Sequence, residues 1–190
     1  MFFDPSQLQF VRALKANWRS ILDELLALEA VDFAPWQQTS LYYLGWDVFG
    51  LHAFGSRISE NCTRASLTTK IVERILELVT ACFSSLKPNT HILPHVGYRF
   101  EVRSDGVLET RRELNSNVLH SYLGLFIPPS LTGVCCALRV RDQLGVWKEG
   151  ECLCFDDTIE HEAWNRSQRT RVVLLIDFYR TENTSIKATQ

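Results

Sequence analysis

The stretch Gly150-Glu-Cys-Leu-Cys-Phe155, Asp156-Asp-Thr158, Glu160-His-Glu-Ala-Trp164 decides the fold. Its first part is a short apolar segment bounded by glycine and aspartate, which reads as a strand. Asp156, Asp157 and Thr158 have the short oxygen-bearing side chains that favour a turn. If the chain then resumes as a strand, Glu160 and Glu162 point to the face opposite His161. Outward from this point the same texture repeats. Tyr98–Val102, Val118–Ile127, Cys135–Val140 and Arg171–Phe178 are rich in Val, Leu, Phe and Tyr and are separated by turn residues. Ser104-Asp105-Gly106 is a hairpin signal.

Upstream of Pro88 the pattern is helical. Asp4 and Pro5 are a suitable N-cap and first helical position. Leu8, Val11, Leu14, Trp18, Ile21, Leu22, Leu25 and Leu26 then recur at helical spacing to about Glu29. Thr68 or Thr69 can cap a second helix carrying Ile71, Ile75, Leu78 and Cys82 on one face. The aromatic and glycine-rich segment from Phe33 to Phe54 carries no clear period. Helices first and antiparallel strands afterwards predict a mainly β protein with N-terminal helices, as a double-stranded β-helix (jelly roll, cupin-like). The expectation is a single domain over 1–190. Residues 1–90 form a helical and mixed N-terminal support, 91–180 the β-helix catalytic core, and 181–190 a polar, frayed tail.

The 190 residues include 46% hydrophobic and 22% charged residues, ordinary globular usage for one sizeable core. A formal net charge of -2 leaves no basic footprint for nucleic acid. No apolar run is long enough to span a bilayer, so no membrane insertion is expected. The start has no basic segment leading into an apolar one, which makes a cytoplasmic location the default. The six cysteines lack a C-x-x-C spacing and read as buried, reduced and hydrophobe-like.

Of five histidines, four fall in the β-rich half: His91, His95, His120 and His161. Imidazole suits iron, and two histidines with open coordination positions are the pattern of a non-haem Fe(II) oxygenase. On spacing alone a histidine on a strand is more often structural.

Four stretches carry more: Phe83 to Gly97, Leu123 to Pro128, Trp147 to Trp164 and Arg171 to Phe178. In this order, and with the N-terminal helix and the Phe54 to Cys62 stretch, they resemble the aspartyl/asparaginyl β-hydroxylase family over nearly the whole chain. The resemblance implies an Fe(II)- and 2-oxoglutarate-dependent dioxygenase that uses O2, with ascorbate as a possible accessory. It would hydroxylate an unactivated C–H bond and release succinate and CO2. His95 in Pro-His-x-Gly and His161 in Glu-His-Glu match the two iron ligands. Gly97 stands where most related oxygenases carry a carboxylate ligand, which this family lacks; the resemblance thus implies one more open coordination position. Arg171 matches the arginine that grips the distal carboxylate of 2-oxoglutarate, a fork of donors on a carboxylate. Ser84 matches a hydroxyl that also contacts the cosubstrate. Asp156 and Asp157 read as turn or supporting residues, His91 as supporting, and Trp147 and Trp164 as core.

The chain departs from the family's Arg-x-His before Leu-Gly-Leu, where it has His120 and Tyr122. Tyr122 can still donate to a 2-oxoglutarate carboxylate. His120 takes the substrate-facing position but cannot reproduce a bidentate arginine. A longer polar stretch between His95 and Tyr122 carries Arg111 and Arg112, which can supply the missing positive charge or form a solvated hairpin face. The expected partner is a small-molecule or peptide substrate, amino-acid-derived or a peptide natural product, with the oligomeric state undetermined. Two other readings are a non-catalytic binding protein of the same fold and an iron-dependent halogenase using the position beside Gly97.

Overall fold

A computed structural model describes the backbone of residues 1–102, 108–114, 118–129 and 133–180. Side chains are described over the same ranges except at 98–102 and 108–114. The strands in chain order are β1 (Phe2–Phe3), β2 (Ala34–Pro35), β3 (Trp46–Ala53), β4 (Ser56–Arg57) and β5 (Leu78–Leu86), then β6 (Thr90–His95), β7 (Tyr98–Val102) and β8 (Leu108–Leu114). They continue as β9 (Val118–Phe126), β10 (Cys136–Val140), β11 (Gln143–Val146), β12 (Cys152–Asp156), β13 (His161–Asn165) and β14 (Arg171–Tyr179). Helices are α1 (Gln9–Leu26), α2 (Ser59–Arg64) and α3 (Ser66–Val72).

An eight-stranded sheet runs β1-β12-β9-β14-β5-β3-β2, with β4 on β3. A four-stranded sheet runs β11-β10-β13-β6, and β7 pairs with β8. All named strand pairs are antiparallel. The molecule is mainly β with N-terminal helices, in the jelly-roll arrangement expected from the sequence. Strands β3 and β5, from the first ninety residues, lie inside the large sheet rather than beside it.

The period of two in β14 explains the layering. Leu174, Ile176 and Phe178 join Leu119, Leu123 and Leu125 of β9 on the outer face, under Val11, Leu14, Ile21 and Leu25 of α1. Each fully buried side chain of this kind contributes about 1.5–3 kcal/mol, so α1 is held by its apolar stripe. The alternate residues Val173 and Leu175 face inward and meet Leu138 and Ala163 of the small sheet. Arg171 and Asp177 share that inward parity.

Helix α1 begins close to where Asp4 predicted: Asp4 accepts from Ser6 N at 2.9 Å over a short 3-10 turn, and the α-helix follows from Gln9. The second helix needs correcting. It ends at Val72, and Leu78 and Cys82 lie on β5, not on a helical face. Thr68 does not cap it with its own side chain. Instead the Glu24 carboxylate on α1 accepts from Leu67 N at 2.7 Å and Thr68 N at 2.8 Å. The Leu-Val-Thr-Ala-Cys-Phe run belongs to a central strand that pairs with β14 from Leu78 and with β3 from Ala81, and this pairing outweighs a local helical period. The hairpin expected around Ser104 is present as the β7–β8 pair, while Ser104, Asp105 and Gly106 lie outside the described residues. All six cysteines are free, and five are buried.

Candidate active site

Between the two sheets lies a cavity of about 170 Å³. Its walls bring together His95, His161, His120, Tyr122, Ser84, Asp157, Arg171 and Asp177.

His95 ends β6 and His161 begins β13, and the two are directly paired across the small sheet. Their ring centroids are 4.2 Å apart. Each ring is held the same way: His95 Nδ1 contacts Leu93 O at 2.7 Å and His161 Nδ1 contacts Ile159 O at 2.9 Å. A carbonyl can only accept, so Nδ1 carries the proton and Nε2 keeps its lone pair. That is the tautomer of a metal-binding imidazole with a carbonyl behind it. Burial lowers the pKa of both rings. For His161, burial and the neighbouring His95 push it down to about 3, which keeps it neutral at physiological pH.

The adjacent acids Asp156 and Asp157 divide their work. Asp156 Oδ1 accepts from Thr158 N at 3.0 Å and Thr158 Oγ1 at 2.7 Å, closing the turn out of β12. Asp157 instead turns into the cavity, with Oδ1 3.6 Å from His161 Nε2. Its backbone carbonyl accepts from Gly97 N at 2.8 Å. A methyl group at Gly97 would overlap the Asp157 carboxylate. The glycine therefore leaves room beside it for a carboxylate from another segment.

His120 lies between two acids, with Nε2 2.6 Å from Asp157 and Nδ1 2.8 Å from Asp177. Neither nitrogen meets its carboxylate along a good hydrogen-bond direction, so the contacts are chiefly Coulombic. Burial opposes the charged ring, but the two carboxylates outweigh it and raise the pKa to about 10. Both nitrogens of His120 thus face carboxylates, and this surrounding favours the charged ring. For Asp157, burial again opposes charge, and His120 with the other two imidazoles nevertheless lowers its pKa.

Arg171 is 2% exposed, and among the described residues no carboxylate pairs with it. Its guanidinium lies 4.6 Å over the Trp147 ring and makes one long contact, 3.5 Å, to Ser84 O; Nε has no partner. Burial lowers its pKa only to about 10, so it remains a cation. Ser84 Oγ accepts from Trp46 Nε1 at 3.0 Å, which leaves its own O–H to donate. Tyr122 is buried and stacks against Trp147, with burial raising its phenol well above the ordinary value.

Arg111 and Arg112 lie on β8, and their side chains are outside the described residues. His91 is on the opposite face: it pairs with Glu162 at 2.7 Å, which Arg139 also holds at 2.6 Å. Glu162 thus points away from His161, as strand parity requires. Sequence reading passed over Asp177, Trp46 and the support that Trp147 gives Arg171. The parity of β14 was a usable signal for Asp177; nothing local marked the other two. A further donor group, His52, Cys62 and Glu73, lies within 4.8 Å under the helices, with Glu73 already held by Arg57 at 2.8 Å.

The family model of the aspartyl/asparaginyl β-hydroxylases matches residues 15–181. This chain belongs to that family. It is 36% identical over 133 residues to an ornithine lipid ester-linked acyl 2-hydroxylase of Rhizobium tropici, covering 70% of this chain and 41% of that protein. It is 29% identical over 185 residues to the human aspartyl/asparaginyl β-hydroxylase, covering 93% of this chain and 22% of that protein. The chain thus spans about two-fifths and one-fifth of these relatives' lengths. Among solved structures, a Trichoplax adhaerens prolyl hydroxylase in complex with a peptide fragment superposes with a TM-score of 0.52 at 10% identity, over 91% of this chain and 81% of that one. HygX of Streptomyces hygroscopicus, with nickel and 2-oxoglutarate bound, gives 0.52 at 9%, over 88% and 80%. These two likenesses concern the fold. No helix among the described residues is long and apolar enough to cross a membrane.

Proposed function

We propose that this chain is an Fe(II)- and 2-oxoglutarate-dependent hydroxylase whose metal is held by His95 and His161. The observation that carries the reading is a pair. Two imidazoles keep Nε2 free at one cavity wall, and a buried guanidinium without a carboxylate stands at the other. A buried cation is expensive unless an anion reaches it, so Arg171 is built for an incoming carboxylate. The residues present therefore fit both groups. Two neutral nitrogens suit a divalent metal, and Arg171 with Ser84 and Tyr122 suits the distal carboxylate of 2-oxoglutarate.

When bound, the metal with 2-oxoglutarate and O2 supplies the oxidising power to hydroxylate a C–H bond, releasing succinate and CO2. The protein's own part is placement. The carbonyls of Leu93 and Ile159 fix the two imidazoles. Trp147 lies beneath the Arg171 guanidinium, and Trp46 orients the Ser84 hydroxyl. Val173, Leu175, Leu138 and Ala163 close the space between the sheets against water. The substrate is amino-acid-derived or a peptide natural product, and ascorbate can serve as accessory reductant.

The test is direct. Protein loaded anaerobically with Fe(II) should take up one ion per chain and develop a visible charge-transfer band on adding 2-oxoglutarate. In air it should form succinate. A protein that binds Fe(II) but shows neither band nor succinate is a binding protein of this fold instead.

A further inference from the structure

We infer that the C–H bond presented to this site belongs to an uncharged aliphatic segment, and that Asp157 and Asp177 exclude an acidic one. The inference rests on the proposed metal and 2-oxoglutarate reading and adds the substrate class. Among the described residues lining the cavity, the ionic groups besides the two candidate metal ligands are Arg171, His120, Asp157 and Asp177. Asp157 and Asp177 bring two negative charges to the wall beside His161, and His120 brings at most one positive charge. That wall is at best singly negative, and a neutral His120 would make it doubly so. The exclusion of an acidic segment holds whether His120 is charged or neutral.

The charges leave no positive surplus for an acidic substrate. A divalent metal, doubly negative 2-oxoglutarate and Arg171 sum to one positive charge. The Asp157–His120–Asp177 group supplies at least one negative charge. A carboxylate arriving beside the metal would stand as an uncompensated buried anion, facing two carboxylates already there. The Arg171 cation sits at the opposite end of β14 from Asp177 and is taken by the cosubstrate. Apart from Thr80, the direct strand partner of Asp177, the lining at that end of β5, β9 and β14 is largely apolar: Phe54, Leu78, Val79, Val118 and the ring of Tyr179. Leu78 and Val79 are half-buried, so they stand at its margin.

The experiment uses the full chain with Fe(II) and 2-oxoglutarate and two probes of the same shape, N-acetyl-leucinamide and the α-amide of N-acetyl-aspartate. Probe binding is read anaerobically as a shift of the charge-transfer band, and turnover as succinate above the probe-free rate. The leucine probe should perturb the band and raise succinate at concentrations at least tenfold below those the aspartate probe requires. Asp177→Asn removes one wall charge with little change of shape, and should move that ratio toward the aspartate probe by about tenfold. A purely structural role for Asp177 would lower both responses together and leave the ratio fixed, which overturns the inference. So does an aspartate probe that equals or exceeds the leucine probe, or a leucine probe without effect. Repeating the comparison in the Arg111→Gln, Arg112→Gln double variant shows whether those side chains carry an aspartate response. If they do, the inference is equally lost. Absence of the 2-oxoglutarate band itself would instead defeat the reading under Proposed function.

Discussion

The cavity holds two buried cations, and they differ in company. His120 stands between Asp157 and Asp177, at 2.6 and 2.8 Å. Arg171, equally buried, has no acid beside it among the described residues. Two groups with the same charge in one cavity thus play opposite parts. The charge of His120 is spent within the protein, where it holds the two carboxylates in place. The charge of Arg171 is left unspent at a cost in desolvation, which a ligand carboxylate would offset. An unpaired buried charge in a folded chain points to a ligand; a paired one points to architecture.

The largest expected effect tests the region both cations serve. His161→Ala, or His95→Ala, removes one of two imidazole donors and should weaken Fe(II) binding by more than the 10–100-fold typical of losing a mere supporting partner. Equilibrium dialysis against Fe(II) checks this, and a variant that retains full occupancy would break the ligand assignment. Next comes the unspent cation. Arg171→Ala should weaken 2-oxoglutarate binding by about 1.5–3 kcal/mol, the range for hydrogen bonds to charged groups. Titration of the charge-transfer band measures it, and unchanged affinity would mean that Arg171 awaits something else.

The spent cation predicts a pH dependence of stability in the metal-free protein. The folded state raises the His120 pKa to about 10 from an ordinary value of about 6.5, so folding binds its proton more tightly. The resulting stabilisation is complete below about pH 6.5 and is lost as pH rises toward about 10. The Tm advantage of the wild-type chain over His120→Gln should therefore shrink across that window; an advantage that grows with pH would contradict the pairing. The smallest effect sharpens the Arg171 end. Tyr122→Phe should cost about 1 kcal/mol in 2-oxoglutarate affinity, one neutral hydrogen bond, read on the same band.

Much of this was legible in the residues. The alternation through Arg171–Phe178 and the turn at Asp156-Asp157-Thr158 follow from local chemistry and recur in the structure; the N-terminal helix does too, but its α-helical part is shorter, Gln9–Leu26, behind a 3-10 turn capped by Asp4. The positions of His95, His161, Ser84, Arg171, His120 and Tyr122 were readable because motif and strand parity place them on inward faces. Where local preference met a central sheet position, it lost. The Leu78 to Cys82 residues continue a helical period after Ile71 and Ile75, yet β3 and β14 claim them as strand.

By itself, then, the sequence determined the class of fold, the order of its layers and which side chains could reach a shared interior. It could do so because periodicity and turn chemistry act over a few residues. Only the tertiary structure decided what those side chains meet. Asp157 fills the room that Gly97 vacates, and Asp177, 57 positions (177 − 120) along the chain from His120, pairs with that histidine. Those are Coulombic and steric contacts between segments distant along the chain, and their strength depends on burial that no local pattern records.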